Sequence, residues 1–211
     1  MNLIDQYKEM HKDENLYAGS ATTLHKESIR QFIVVSNSKT MLDYGCGKAA
    51  QYFKENIHND YFYSIMPSLY DPAVEQYSVL PEGKFDMVIC TDVLEHIRPH
   101  HVDKVLDNCL AACQHVFFQI ATEDDVMGKL VGHKLHLSVH PYEWWLKKFI
   151  DIDCIIHCAG VVHFQKAGNQ NEVMMTRLVN FAKPKSIPIY HVSTAFVYRP
   201  DGSTNFNNSY E

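Results

Sequence analysis

Thr40-Met41-Leu42-Asp43-Tyr44-Gly45-Cys46-Gly47-Lys48-Ala49 decides how this chain is read. Residues 40–44 form a short apolar strand ending in an acid, and two glycines follow at once. Lys48 to Asn56 is polar enough to begin a helix. A glycine turn between strand and helix lets backbone approach a ligand closely, and nucleotide-like cofactors bind at such edges. The turn does not fit every such cofactor. A dinucleotide fingerprint requires a third glycine, and Ala49 follows Gly47 instead. A phosphate-cradling loop ends in G-K-[ST], whereas Lys48 precedes Ala49. Asp43 ahead of the turn repels a pyrophosphate and suits a ligand carrying positive charge.

Working outward, the pattern alternates. A helix is expected over 3–12 and a second over 20–35, with Ser20 or Thr22 as cap and Leu24, Ile29, Phe32 and Ile33 as apolar positions. After strand 40–44 comes a helix over 47–55, then an aromatic-rich irregular stretch over 56–67. Ser68 to Pro72 is a short strand ending in Asp71, and Met87 to Cys90 a buried strand ending at Thr91-Asp92. Pro99 opens a helix over 99–113. Val116 to Ile120 is another buried strand, and 122–140 a long polar loop. Pro141 opens a helix bearing Trp144, Trp145, Leu146 and Phe149. The runs 152–164 and 172–180 read as strands joined by a hairpin at Ala167-Gly168-Asn169. Alternating strands and helices imply an α/β fold with a mostly parallel sheet covered on both faces.

The 211 residues suit one domain, and 46% hydrophobic content supports a sizeable core. A net charge of −6 argues against a chain built mainly to grip nucleic acid. No stretch approaches the roughly 20 apolar residues of a membrane span, and the charged start lacks a signal-peptide core. A cytoplasmic location with no membrane partner is expected, and six cysteines fit it as reduced thiols. Cys109 and Cys113 share a helical stripe with Val102, Val105, Leu106 and Leu110, which reads as a buried face. Cys154 and Cys158 share a spacing on an expected strand. Neither pair has the gap of a zinc knuckle. His96, His100 and His101 crowd together without a carboxylate or cysteine to complete a ligand set, so no metal site is expected.

Three segments together resemble the class I S-adenosylmethionine-dependent methyltransferases. Leu42-Asp43-Tyr44-Gly45-Cys46-Gly47 is similar to that family's first motif, LDxGCGxG. Tyr70-Asp71 matches the acid closing its second strand. Phe85 through Ile97, reading FDMVICTDVLEHI, resembles the motif FDxVxxxxVLEHI around its fourth strand. The segments stand in the family's order, and the likeness covers about residues 36–125. It implies a Rossmann-like three-layer sandwich whose seven-stranded, mostly parallel sheet closes in a C-terminal antiparallel hairpin. The domain is placed at 1–182, with 1–36 as N-terminal helices or lid, 37–182 as the cofactor-binding core, and 183–211 as an extension.

The resemblance also implies roles. Gly45, Cys46 and Gly47 present backbone to S-adenosylmethionine, which leaves as S-adenosylhomocysteine. Asp43 orients the turn or meets the cofactor's ammonium, and Asp71 takes the ribose hydroxyls. Thr91, Asp92 and Val93 lie beside the methionine and the reacting methyl. Glu95 ties down the following turn, and His96 packs, lines the site or moves a proton. Among His133, His136 and His140, one is a candidate base, giving His96, His136 and His140 as catalytic candidates. Tyr7 and Tyr17 are candidate lid residues. One of Trp144 and Trp145 is expected in the core. The absence of an [ND]-P-P-[YFW] box and of any Pro-Cys pair sets aside methylation of DNA bases. The DVLEH form points to a small or soluble acceptor. A macromolecular acceptor (RNA, protein or glycan) and a non-catalytic member of the fold stand as alternatives.

Overall fold

The computed structural model describes residues 3–13, 19–124, 134–148, 155–157 and 189–191. The chain divides into two compact units, 1–150 and 151–211.

In the first unit, four strands form one parallel sheet: β1 (Met41–Tyr44), β2 (Ser68–Tyr70), β3 (Phe85–Thr91) and β4 (Cys113–Gln119), in the order β2-β1-β3-β4. Register pairs Asp43 with Leu69 on one side and with Ile89 on the other. Thr91 pairs with Gln119. Asp86 fixes where β1 begins, because one of its carboxylate oxygens accepts the Lys39 and Thr40 N–H groups at 2.8 and 2.9 Å. Met87, Val88, Ile89 and Cys90 are all buried, as a parallel strand covered on both faces must be.

Side chains alternate across a strand, so the two faces have different partners. Leu42, Tyr44, Val88 and Cys90 pack against Val102, Leu106 and Cys109 of a helix over Pro99–Ala112. On the opposite face, Asp43 meets Tyr52, Thr91 meets Thr22, and Phe32 lies against Phe117. In chain order the helices are α1 (Leu3–Met10), α2 (Ala21–Leu24), α3 (Lys26–Ser36), α4 (Ala50–Phe53), α5 (Ile57–Asp60), α6 (Pro99–Ala112) and α7 (Tyr142–Lys148). Among the described residues, no helix is long and apolar enough to cross a membrane.

Several expected boundaries move. The helix expected over 20–35 breaks at His25, whose φ of −113° and ψ of 8° lie outside the helical region. The helix expected over 47–55 shrinks to Ala50–Phe53, because Gly47, Ala49 and Asn56 all hold positive φ and keep the flanks in turns. The stretch expected to be irregular contains α5, anchored by fully buried Ile57 and Phe62. The stripe on α6 is narrower than read: Leu110 is exposed, and Cys113 has left the helix to open β4. Cys109 is buried as expected. Leu24, counted among apolar helix positions, is exposed.

In the second unit, β5 (Ile155–His157) pairs in parallel with β6 (Ile189–His191). The expected hairpin across 167–169 lies otherwise outside the described residues, as do Cys154 and Cys158.

Candidate functional site

Chain connections on either side of β1 run in opposite directions, to β2 and to β3. The C-terminal ends of β1 and β3 therefore border the crevice where parallel sheets hold ligands. A cleft of about 1330 Å³ opens there. Its lining includes Gly45 and Gly47 after β1, Asp71 after β2, and Asp92 and His96 after β3.

The glycine turn is held by β2. The Tyr70 carbonyl accepts the N–H groups of Gly45 (2.7 Å) and Cys46 (3.1 Å). Asp71 continues this grip: one carboxylate oxygen accepts the Gly47 N–H at 3.0 Å, the other the Ala73 N–H at 2.8 Å. Gly45 has φ +87°, and a Cβ there would lie 2.2 Å from a Val93 methyl. Glycine is therefore required twice over, by backbone conformation and by the approach of the β3 loop. Val93 buttresses the turn from the neighbouring strand end. Cys46 is buried, and burial pushes its thiol pKa up, which keeps the sulfur a packing atom.

Asp43 is fully buried, with one oxygen accepting from Tyr52 Oη at 2.6 Å and from Gln51 Nε2 at 3.0 Å. Burial raises its pKa to about 6, against the lowering effect of those hydrogen bonds. That displacement is worth roughly 3 kcal/mol between the two protonation states. Asp43 thus ties β1 to α4 beneath the turn.

The β3 side of the cleft is assembled from remote segments. Asp92 follows β3 with φ +59°, a left-handed conformation that aspartate tolerates better than most residues. Its carboxylate lies 3.7 Å from His96 Nε2. Proximity to His96, assisted by His136 and His25, holds the Asp92 carboxyl below its ordinary pKa despite burial. Burial alone would lower His96, but Asp92 and Glu95 raise it above the ordinary value. Tyr7 Oη of α1 reaches His96 Nδ1 at 2.7 Å. Thr91 is buried and paired with Thr22 Oγ1 at 3.0 Å, so it fastens α2 to β3.

Glu95 brings in the segment after β4. Its carboxylate accepts the Ala121 N–H at 2.6 Å, and its carbonyl accepts the N–H groups of Leu137 and Ser138. Ser138 Oγ donates to the Ile97 carbonyl. These ties carry His136 to His96, ring centroids 4.8 Å apart and nearly perpendicular. His136 Nδ1 donates to the Glu123 carbonyl at 2.6 Å. His140 goes elsewhere, stacking on Trp144 at 3.8 Å. Trp145 is buried in the core and Trp144 partly so. Tyr17 and His133 lie outside the described residues.

A family model for a methyltransferase domain matches residues 24–169, more than half of the chain. The chain belongs to this methyltransferase family. No curated protein matches it. The glycine turn, Asp71 and Asp92 fall inside the matched methyltransferase domain.

Sequence reasoning missed two contributors to this methyltransferase site. Gly19 packs on the glycine turn so tightly that a Cβ would lie 2.2 Å from the Cys46 carbonyl oxygen, and its own carbonyl accepts the Gln51 N–H. The meeting of His136 with Asp92 and His96 was the other. Both are contacts between distant segments, which no local spacing announces.

Proposed function

We propose that this methyltransferase uses S-adenosylmethionine to methylate a small or soluble acceptor in the cytoplasm. The observation that carries the reading is the convergence of the glycine turn, Asp71 and Asp92 in one cleft at the switch point of the sheet. The donor set fits a cationic cofactor better than a phosphate. Lys48, the cation of the turn, donates to the Asp13 carbonyl, while Asp71 and Asp92 line the cleft. When bound, the cofactor supplies an electrophilic methyl: the acceptor's lone pair bonds to carbon as the carbon–sulfur bond breaks, leaving a neutral thioether.

The protein's share is binding, orientation and electrostatics. The Gly45–Gly47 backbone shapes the bed. Asp71, held by two backbone N–H groups, receives the ribose hydroxyls, a charge-assisted contact. Asp92 places negative charge at the methionine end. Leu3, Ile4 and Tyr7 of α1, with exposed Leu24, line the same cleft and serve as an apolar cover that limits water. His96 and His136 lie on the acceptor side. His140, stacked on Trp144, acts as packing.

Isothermal calorimetry with S-adenosylhomocysteine tests this reading. Stoichiometric binding that weakens in Asp71→Asn supports it; no heat from the folded wild type overturns it.

A further inference from the structure

Asp92, His96 and His136 are, among the described residues, a set of three side chains whose ligand atoms all lie within 4.8 Å of one another. We propose that they form a binding site for a first-row divalent transition ion of the zinc and cobalt kind. The proposal rests on the methyl-transfer reading of the cleft, and it specifies the acceptor side. The bound ion would hold a hydroxyl oxygen of the acceptor and ease loss of its proton to solvent, so that the oxygen bonds to the methyl carbon as the carbon–sulfur bond breaks.

The geometry carries this. Two donors at ~2.1 Å from one tetrahedral ion stand roughly 3.4 Å apart. Asp92 Oδ1 and His96 Nε2 are 3.7 Å apart and all three ligand atoms lie within 4.8 Å, so side-chain rotations moving them by about 1 Å bring the set to bonding distance. The rings are also oriented as ligands are. A carbonyl only accepts, so the hydrogen bond to Glu123 places the proton of neutral His136 on Nδ1 and the lone pair on Nε2. Tyr7 Oη meets His96 on Nδ1, Nε2 lies on the Asp92 side, and the Leu135 backbone also hydrogen-bonds this ring. Such outer partners fix the tautomer and direction of metal-ligating histidines.

Exposure is asymmetric in the way a working site needs. Both histidines are buried, at 8% and 7% exposure, while the Asp92 side chain is 46% exposed. Asp92 and His96 line the cleft. Three protein ligands with an open fourth position mark a catalytic rather than a structural site. Glu95, next in sequence to His96, is wholly buried, and its Oε2 has no hydrogen-bond partner among the described residues. Two histidines and a carboxylate suit borderline ions such as zinc, cobalt or iron rather than calcium or magnesium.

The test uses chelator-treated full-length protein titrated with Co²⁺, read by visible d–d absorption, and with Zn²⁺, read by calorimetry. One equivalent is expected to bind. Affinity should fall at least about 100-fold in His136→Ala and Asp92→Asn, about 10-fold in Tyr7→Phe, and not at all in His140→Ala. Circular dichroism confirms that each variant is folded, and Zn²⁺ should raise the melting temperature of the wild type but not of His136→Ala. S-adenosylhomocysteine binding is measured on the same samples. No stoichiometric uptake, or equal uptake by wild type and His136→Ala, overturns the ion site. If cofactor still binds in that case, the methyltransferase reading survives; if metal binds but cofactor does not, that reading fails alone.

Discussion

The two sides of the cleft are built differently. The donor side is local and rigid. Gly45, Cys46 and Gly47 follow one strand, and their N–H groups are held by Tyr70 and Asp71 at the end of the next. Asp43 beneath them is bonded to Gln51 and Tyr52, eight and nine residues along. The β3 side, proposed for the acceptor, gathers residues 7, 92, 96 and 136: Tyr7 bonds to His96, and backbone ties from Leu137 and Ser138 to Glu95 carry His136. Its carboxylate is half exposed and its histidines face one another. A shared donor needs one fixed bed, whereas acceptors differ, and loops after strands can change without disturbing the sheet. The difference teaches where to look for specificity: at the Asp92–His136 side.

The sharpest way to break the donor side is Gly45→Val. A side chain at φ +87° that also collides with Val93 should cost about 4 kcal/mol or more, read as a fall in the denaturation midpoint. A glycine turn tolerant of valine would show that the bed is not rigid. Next is pH. Folded Asp43 keeps its proton up to about pH 6, while the unfolded chain releases it near 3.8. Between those values the folded state binds more protons, so this group's contribution to stability is fully present below the unfolded value. It is lost as pH rises toward 6, by up to roughly 3 kcal/mol, and is flat above. Asp43→Asn keeps the acceptor oxygen, so the difference between wild type and variant stability should show that slope between pH 4 and 6. A difference that does not change with pH would mean Asp43 is not buried as a lone acid.

Smaller effects sharpen the contrast. Asp71→Asn should weaken S-adenosylhomocysteine binding about 10- to 100-fold, the loss of a hydrogen bond to a charged group. Tyr7→Phe should lower stability by only about 1 kcal/mol, since α1 has no buried residue, yet slow methyl transfer by loosening His96. An equal loss of cofactor affinity in Tyr7→Phe would blur the distinction between the two sides.

The same distinction explains what was legible in the chain. LDYGCG and TDVLEH each compress a strand end and the turn after it into one local run, so the cleft at those strand ends follows from them. The turn's true extent did not, because left-handed backbone at Ala49 is not announced by its residue type. Leu110 and Cys113 fit the helical period of α6, yet one faces water and the other begins β4, since the chain leaves the helix at Ala112. His136, His140 and His133 look alike in sequence. Only the backbone bonds from Leu137 and Ser138 to Glu95 bring His136 to Asp92, and His140 is drawn to Trp144 instead.

The central claim is that the edge after β1 and β2 holds the methyl donor while the edge after β3 and β4 serves the acceptor. Calorimetric titration of S-adenosylhomocysteine into wild type, Asp71→Asn and His136→Ala tests it directly. The account predicts one site in the wild type, a 10- to 100-fold weaker one in Asp71→Asn, and unchanged affinity in His136→Ala. No binding by folded wild type, or a loss in His136→Ala as large as in Asp71→Asn, would contradict it.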